Sequence, residues 1–203
     1  MSDEVHPPFG IDLLWIPLGA GGSGWVRVNG LVYERLRALV ERRRPLDLYH
    51  TALLVRVPDG EYVIETVLPS PEGDAAARGV VVVGPMFSRW LGWMRLFLYE
   101  VRCWRDGVLP DAGDAVGGPR RVSRDRGQAE ALLDAAKSIP CLVWGRDELG
   151  TGEMWNSNSV ISWLLTKSGV PIDEIQPPHN GRGPGWDAGV IVAKREGAPS
   201  SSG

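Results

Sequence analysis

Residues 51–68 read Thr51-Ala52-Leu53-Leu54-Val55-Arg56-Val57, then Pro58-Asp59-Gly60, then Glu61-Tyr62-Val63-Ile64-Glu65-Thr66-Val67-Leu68. Two strand-forming runs joined by Pro-Asp-Gly are a hairpin signal with a mechanism. Proline pre-sets a turn torsion, aspartate bonds its own backbone, and glycine tolerates positive φ. With Asp59 and Gly60 as the turn pair, Glu65 falls opposite Leu54. A mid-chain antiparallel hairpin argues against a doubly wound parallel sheet. Strands and helices in mixed order around it define an α+β class: a single domain with an antiparallel sheet and packed helices. A chain of 203 residues can bury such a core without metals or disulfides.

Upstream, Ile11 to Leu18 fits a buried strand. Gly19-Ala20-Gly21-Gly22-Ser23-Gly24 matches the dinucleotide-binding glycine pattern, which requires a helix to open within the glycines. Trp25-Val26-Arg27-Val28 alternates like a strand instead, so the glycines read as a hairpin loop and nucleotide binding is the weakest reading. A helix is predicted from Leu31 to Arg43, stopped by Pro45, with Arg42, Arg43 and Arg44 matched to its dipole. Downstream, Val80–Val83 reads as a buried strand, Phe97–Trp104 as another, and Gly107–Arg121 as a long surface loop. Asp125-Arg126-Gly127-Gln128 resembles a capping box before a helix bearing Ala129, Leu132, Leu133 and Ala136. A further helix is predicted over Ser157–Lys167, with Gly169 as its C′ residue. Gly189–Ala193 reads as a last strand. The domain is expected to cover 10–195, with a flexible tail at 1–9 and a disordered one at 196–203.

Twenty-two basic and 25 acidic side chains leave a net charge of −3, so no nucleic-acid partner is expected. The N-terminus lacks a basic stretch before an apolar run, and Val80–Val101 is broken by Pro85, Arg89, Arg95 and Glu100. No integral membrane segment is expected, and a cytoplasmic location is the default. Cys103 and Cys141 form neither a disulfide framework nor a zinc site and read as small buried hydrophobes. Asp111 and Asp114 lack the remaining ligands of a calcium loop and read as solvated. Asp147, Glu148 and Glu153 suit the positive end of the Ser157 helix. No metal or cofactor is expected. Of nine tryptophans, Trp25, Trp104, Trp144, Trp155 and Trp163 are assigned to the core. The Met86–Arg95 segment, with Trp90 and Trp93, reads as a partly buried connection, ahead of a pocket wall or a membrane-surface contact.

Three histidines prune the chemistry: His6 in the tail, His179 in a Pro/Gly loop, and His50 opening a strand. His50 is the first candidate for a general base; its bland alternative is a strand-end residue. In Trp155-Asn156-Ser157-Asn158-Ser159, Asn156 suits an N-cap and Ser157 the first helical position. There the helix dipole and free backbone N–H groups could assist a nucleophile and hold an oxyanion. On spacing alone, plain capping explains the same residues.

Taken together, Tyr49-His50-Thr51-Ala52-Leu53-Leu54-Val55 and Asn156-Ser157-Asn158-Ser159-Val160 resemble the circularly permuted papain-like superfamily. This group includes NlpC-type hydrolases, lecithin-retinol-acyltransferase-like proteins and PPPDE peptidases. In those families a histidine opens an early strand and a cysteine starts a later helix. The separation here, 107 residues, has the same order and scale. Ser157 stands where the family has cysteine. A thiolate forms readily at a helix N-terminus, whereas a serine hydroxyl must lose its proton to a base during attack. Glu65, Asn158 or another polar group would be the third member; about 13 Å of strand separates Leu54 from His50. The resemblance implies a permuted papain-like arrangement and two functions. One is an acyl hydrolase or acyltransferase acting on an ester, thioester or amide. Ser157 would attack, His50 would be the base, Asn158 and Asn156 would position the oxyanion, and Trp155 would wall the pocket. The other is a catalytically inactive papain-like binding module for a small-molecule, lipid or peptide ligand.

Overall fold

A computed structural model of the chain describes residues 9–18, 46–69, 75 and 78–197. Its strands are β1 (Gly10–Pro17), β2 (Tyr49–Val57), β3 (Gly60–Val67), β4 (Val80–Pro85), β5 (Leu98–Arg105) and β6 (Arg120–Ser123). They form one six-stranded sheet in the order β4-β5-β3-β2-β1-β6, and every neighbouring pair is antiparallel. Three helices follow among the described residues: α1 (Arg126–Ala135), α2 (Ser157–Lys167) and α3 (Trp186–Gly197). This is a single α+β domain. The glycine run at 19–24, the strand at 25–28, the helix at 31–43 and His6 lie outside the described residues.

Strand alternation sorts the side chains onto two faces. Ile11, Leu13 and Trp15 of β1, Tyr49, Leu53 and Val55 of β2, and Ile64 of β3 share one core with Leu132, Ile161 and Leu164 of the helices. On the opposite face, Leu14, Ile16, Ala52 and Val63 pack with Leu109, from the segment joining β5 to β6. β1 is therefore covered on both sides, which explains its nearly unbroken apolar run. The exception is Asp12, 4% exposed, which is ion-paired to Arg56 of β2 and Arg121 of β6. A buried carboxylate needs such partners.

Several local expectations change in three dimensions. Val57 pairs with Gly60 and Leu53 with Ile64, so the turn residues are Pro58 and Asp59 rather than Asp59 and Gly60. Proline's fixed φ suits the first central position of a turn, and Gly60 takes φ 149° as it opens β3. Continuing that register carries Glu65 to the level of Ala52. The Val80–Val83 run is half-buried to exposed rather than buried, because β4 is an edge strand paired only with β5. Arg120 and Arg121, read as the end of a loop, open strand β6 on the other edge. The capping box before α1 is half formed. Asp125 accepts from the Gln128 N–H at 2.7 Å, but the Gln128 amide donates to the Gly169 carbonyl beyond α2.

The largest correction is α3, where Gly189–Ala193 had read as a strand. A short apolar run does not distinguish a strand from a buried helix. Its neighbour decides the matter: Ala188, Gly189, Val192 and Ala193 form a helical stripe buried beside α2. Glu196, expected in a polar tail, is still inside α3, and its carboxylate accepts from the Trp163 indole at 3.0 Å. The α2–α3 contact depends on small residues. A Cβ on Gly189 would lie 2.0 Å from the Ser159 carbonyl oxygen and 2.2 Å from Ser162 Oγ. Gly189→Ala should therefore cost about 2 kcal/mol through overpacking, despite alanine's helix preference of about 1 kcal/mol over glycine. Chemical denaturation would read that loss; a stabilised variant would refute the close approach.

Candidate functional site

The start of α2 is built from buried polar side chains. Asn156, the N-cap, accepts at Oδ1 from the backbone N–H groups of Asn158 and Ser159, at 2.9 and 3.4 Å. Its own backbone N–H donates to Ser159 Oγ at 3.0 Å, completing a capping box. Asn156 Nδ2 donates to the Pro184 carbonyl at 2.8 Å, and Ser159 Oγ to the Gly185 carbonyl at 2.7 Å. Both bonds tie the helix start to the segment before α3.

Asn158 reaches further. Its Nδ2 donates to the carbonyls of Tyr49 and Pro184, each at 2.9 Å, and its Oδ1 accepts from Thr51 Oγ1 at 2.9 Å. Asn158 is 2% exposed and Thr51 1%. One amide thus joins β2, α2 and the 181–185 segment. The backbone reinforces it, since Tyr49 N–H donates to the Arg182 carbonyl at 2.9 Å. Glu153, read as a dipole-matched acid, has a more specific task. It accepts from Arg182 Nη2 at 2.6 Å and from the Gly185 N–H at 2.8 Å. The glycines of this segment follow from crowding. A Cβ on Gly183 would sit 2.8 Å from the Trp15 ring, and one on Gly185 2.7 Å from the Asn156 amide.

Ser157 is 7% exposed, and within the 156–159 run it is the one side chain without a hydrogen bond to a described residue. His50 lies elsewhere. Thr51 points to α2, so His50, its neighbour on β2, points to the opposite face. There His50 Nε2 faces Asp111 Oδ2 at 3.4 Å. The dyad anticipated from the motifs, Ser157 with His50, is not hydrogen-bonded in this structure, and each belongs to a different side of the sheet. Asn158 and Asn156, expected at an oxyanion, have their amides committed to the fold. Trp155, expected to wall a pocket, is 2% exposed and belongs to the main core. Cys141 is exposed rather than buried, while Cys103 is half-buried and burial pushes its thiol up to about 11.

Asp111 is the residue that sequence reasoning missed. It sits in a Gly/Pro-rich segment, and nothing local in the sequence ties it to a strand 61 residues earlier. His50, Asp111 and Glu65 make an asymmetric group. The hydrogen bond from His50 holds the Asp111 carboxyl below its ordinary range, against the opposing effect of burial. Burial pushes the Glu65 carboxyl up, against the pull of Arg102 at 4.0 Å. Arg102 in turn binds Glu100 at 3.1 Å, and Glu100 binds Arg78 at 3.1 Å. Charges of alternating sign thus run across β2, β3 and β5. Among the described residues no group of three or more His, Cys, Asp or Glu side chains could hold a metal. A comparison with known proteins finds no matching family model, no matching curated protein and no matching solved structure.

Two predictions separate the polar junction from the Ser157 hydroxyl. Asn158→Ala removes three buried hydrogen bonds, to the Tyr49 and Pro184 carbonyls and from the Thr51 hydroxyl, and should cost about 3 kcal/mol, whereas Ser157→Ala should stay within about 0.5 kcal/mol. Equal losses in urea titrations would contradict this assignment. The carboxyl pair predicts opposite pH behaviour. Asp111, depressed in the fold, adds stability above the ordinary carboxylate pKa of about 4, and this is lost as pH falls through its folded value. Glu65, raised in the fold, adds stability below about 4.3, and this is lost as pH rises through its folded value. Glu65→Gln should therefore melt above the wild type at neutral pH, with the gap closing on acidification, while Asp111→Asn should melt below it. Thermal unfolding across a pH series tests both signs.

Proposed function

We propose that this chain is a non-catalytic binding domain of papain-like descent, accepting a small-molecule, lipid or peptide ligand without turning it over. The observation that carries this reading is the divergence of two adjacent side chains. Thr51 engages Asn158 at the start of α2, and His50 engages Asp111 on the other face. A serine nucleophile needs its base within about 2.6–3.2 Å during attack. Here the base candidate has another partner, and both asparagine amides beside the serine are already used. In this reading the Asn156–Ser159 run keeps its place at the helix start because it seals a buried junction, and the papain-like descent rests on the motif resemblance.

Two observations favour the enzymatic alternative. Ser157 Oγ, at a helix N-terminus, has no hydrogen bond to a described residue, and Asp111 beside His50 is the kind of carboxylate that orients a catalytic imidazole. That reading requires His50 to reach Ser157 in a rearranged, ligand-bound state. Incubation with a serine-directed fluorophosphonate, followed by intact-mass measurement, distinguishes the two. The binding-domain reading expects no adduct on the wild type. An adduct at Ser157 that disappears in His50→Ala would overturn it and establish an acyl-transfer site.

A further inference from the structure

The connection between β4 and β5 runs through two consecutive 3₁₀ turns, Arg89–Trp93 and Arg95–Phe97. Its base is anchored. Met86 N–H donates to the Phe97 carbonyl at 2.7 Å, Phe87 N–H to the Trp144 carbonyl at 2.8 Å, and Ser88 Oγ caps the first turn. A 3₁₀ helix has three residues per turn, so within Arg89–Trp93 the side chains of Trp90 and Trp93 share one edge. Met94, between the two turns, is extended. Leu91, Met94 and Phe97 are half-buried and hold the segment to the domain. Phe87, Trp90, Trp93 and Leu96 are 48%, 87%, 81% and 80% exposed and make an apolar ridge, with Arg89 and Arg95 exposed among them. The half-buried residues account for how the segment folds; nothing among the described residues accounts for the exposed ones.

The shape and chemistry of this ridge select its occupant. Side chains exposed by four-fifths stand clear of the protein surface and enclose no groove, so a protein partner would need a matching cavity for each. A lipid interface needs none. Tryptophan, with an apolar body and a polar N–H, is the side chain enriched at the headgroup level. The charge is also complementary to phosphate. Residues 85–99 contain two arginines and no acid, although the whole chain is acidic. Exposed Arg146 lies against the Phe87 carbonyl. Glu148 holds Arg89 through Nε and Nη2, a pairing that does not involve its Nη1.

We propose that the Phe87–Trp90–Trp93–Leu96 ridge docks the domain on an anionic phospholipid surface, with its apolar side chains at the headgroup–acyl boundary and its arginines on the phosphates. The domain then rests on the bilayer without spanning it; among the described residues no helix is long and apolar enough to cross one. This inference is independent of whether Ser157 reacts.

Co-sedimentation of the full chain with vesicles of phosphatidylcholine mixed with phosphatidylserine, and of phosphatidylcholine alone, tests it. Binding is expected to the mixed vesicles, weakening as salt is raised. The double variant Trp90→Ala/Trp93→Ala should lower partitioning about tenfold or more. Its thermal unfolding should match the wild type, because both side chains are exposed. No binding to mixed vesicles would overturn the proposal, as would equal binding to both compositions or binding that survives the double substitution. A wild-type dimer in light scattering that the same substitutions dissociate, without vesicle binding, would reassign the ridge to self-association and overturn it equally.

Discussion

The side-chain amide of Asn158 is the constraint on which the functional end of this fold depends. A buried amide has two donor hydrogens and an acceptor oxygen, and leaving them unpaired in a low-dielectric interior is costly. Here every group is used: the hydrogens by the carbonyls of Tyr49 and Pro184, the oxygen by Thr51. Those partners belong to two segments far apart in sequence, and Asn158 itself to a third. Satisfying one side chain therefore fixes how the start of β2, the start of α2 and the approach to α3 meet. The glycines at 183 and 185 are the steric complement, because any side chain there would displace Trp15 or the Asn156 amide.

That junction also bears on chemistry. A helix N-terminus offers free N–H groups and a positive dipole end, which suit a nucleophile or an anion. In this chain Asn156 takes two of those N–H groups for itself, and Asn158 turns its amide toward the sheet. What remains at Ser157 is a hydroxyl on the first helical residue with no hydrogen bond to a described residue. His50 is directed by the two-residue period of its strand to the opposite face, where it meets Asp111 and the alternating charges of Glu65, Arg102, Glu100 and Arg78. The two sides of the sheet thus have different characters. One is a helix-covered apolar core with a neutral polar seam; the other joins a smaller apolar cluster to a row of partly buried ions.

Elements whose signals are local were legible in the sequence. The β2–β3 hairpin announced itself through Pro58-Asp59-Gly60 between two β-rich runs, and α2 through its Asn156 cap and its Gly169 stop. The strands over 11–18 and 97–104 shifted by a residue at their ends. What failed was whatever depended on a distant neighbour. Gly189–Ala193 carries β-branched residues in a run too short to reveal a period, and packing on α2 made it helical. Arg120–Ser123 became a strand only because the edge of β1 was open to it. Asp111 looked solvated in its own context and acquired a partner only through the fold. The Trp90–Trp93 segment was expected to be partly buried; Leu91 is half-buried, while Trp90 and Trp93 are exposed.

The sequence by itself determined the class of this protein, the central hairpin, the capped helix at Ser157 and the residues worth asking about. Hydrophobic periodicity, turn chemistry and capping act within a few residues of each other. The tertiary structure alone decided how those residues are partnered. Whether His50 faces Ser157 or Asp111 depends on which face of the sheet receives the helices. Whether Asn158 serves chemistry or cohesion depends on carbonyls more than twenty residues away along the chain. Those outcomes are set by long-range packing and by the requirement that buried polar groups find partners, and no short stretch of sequence encodes either.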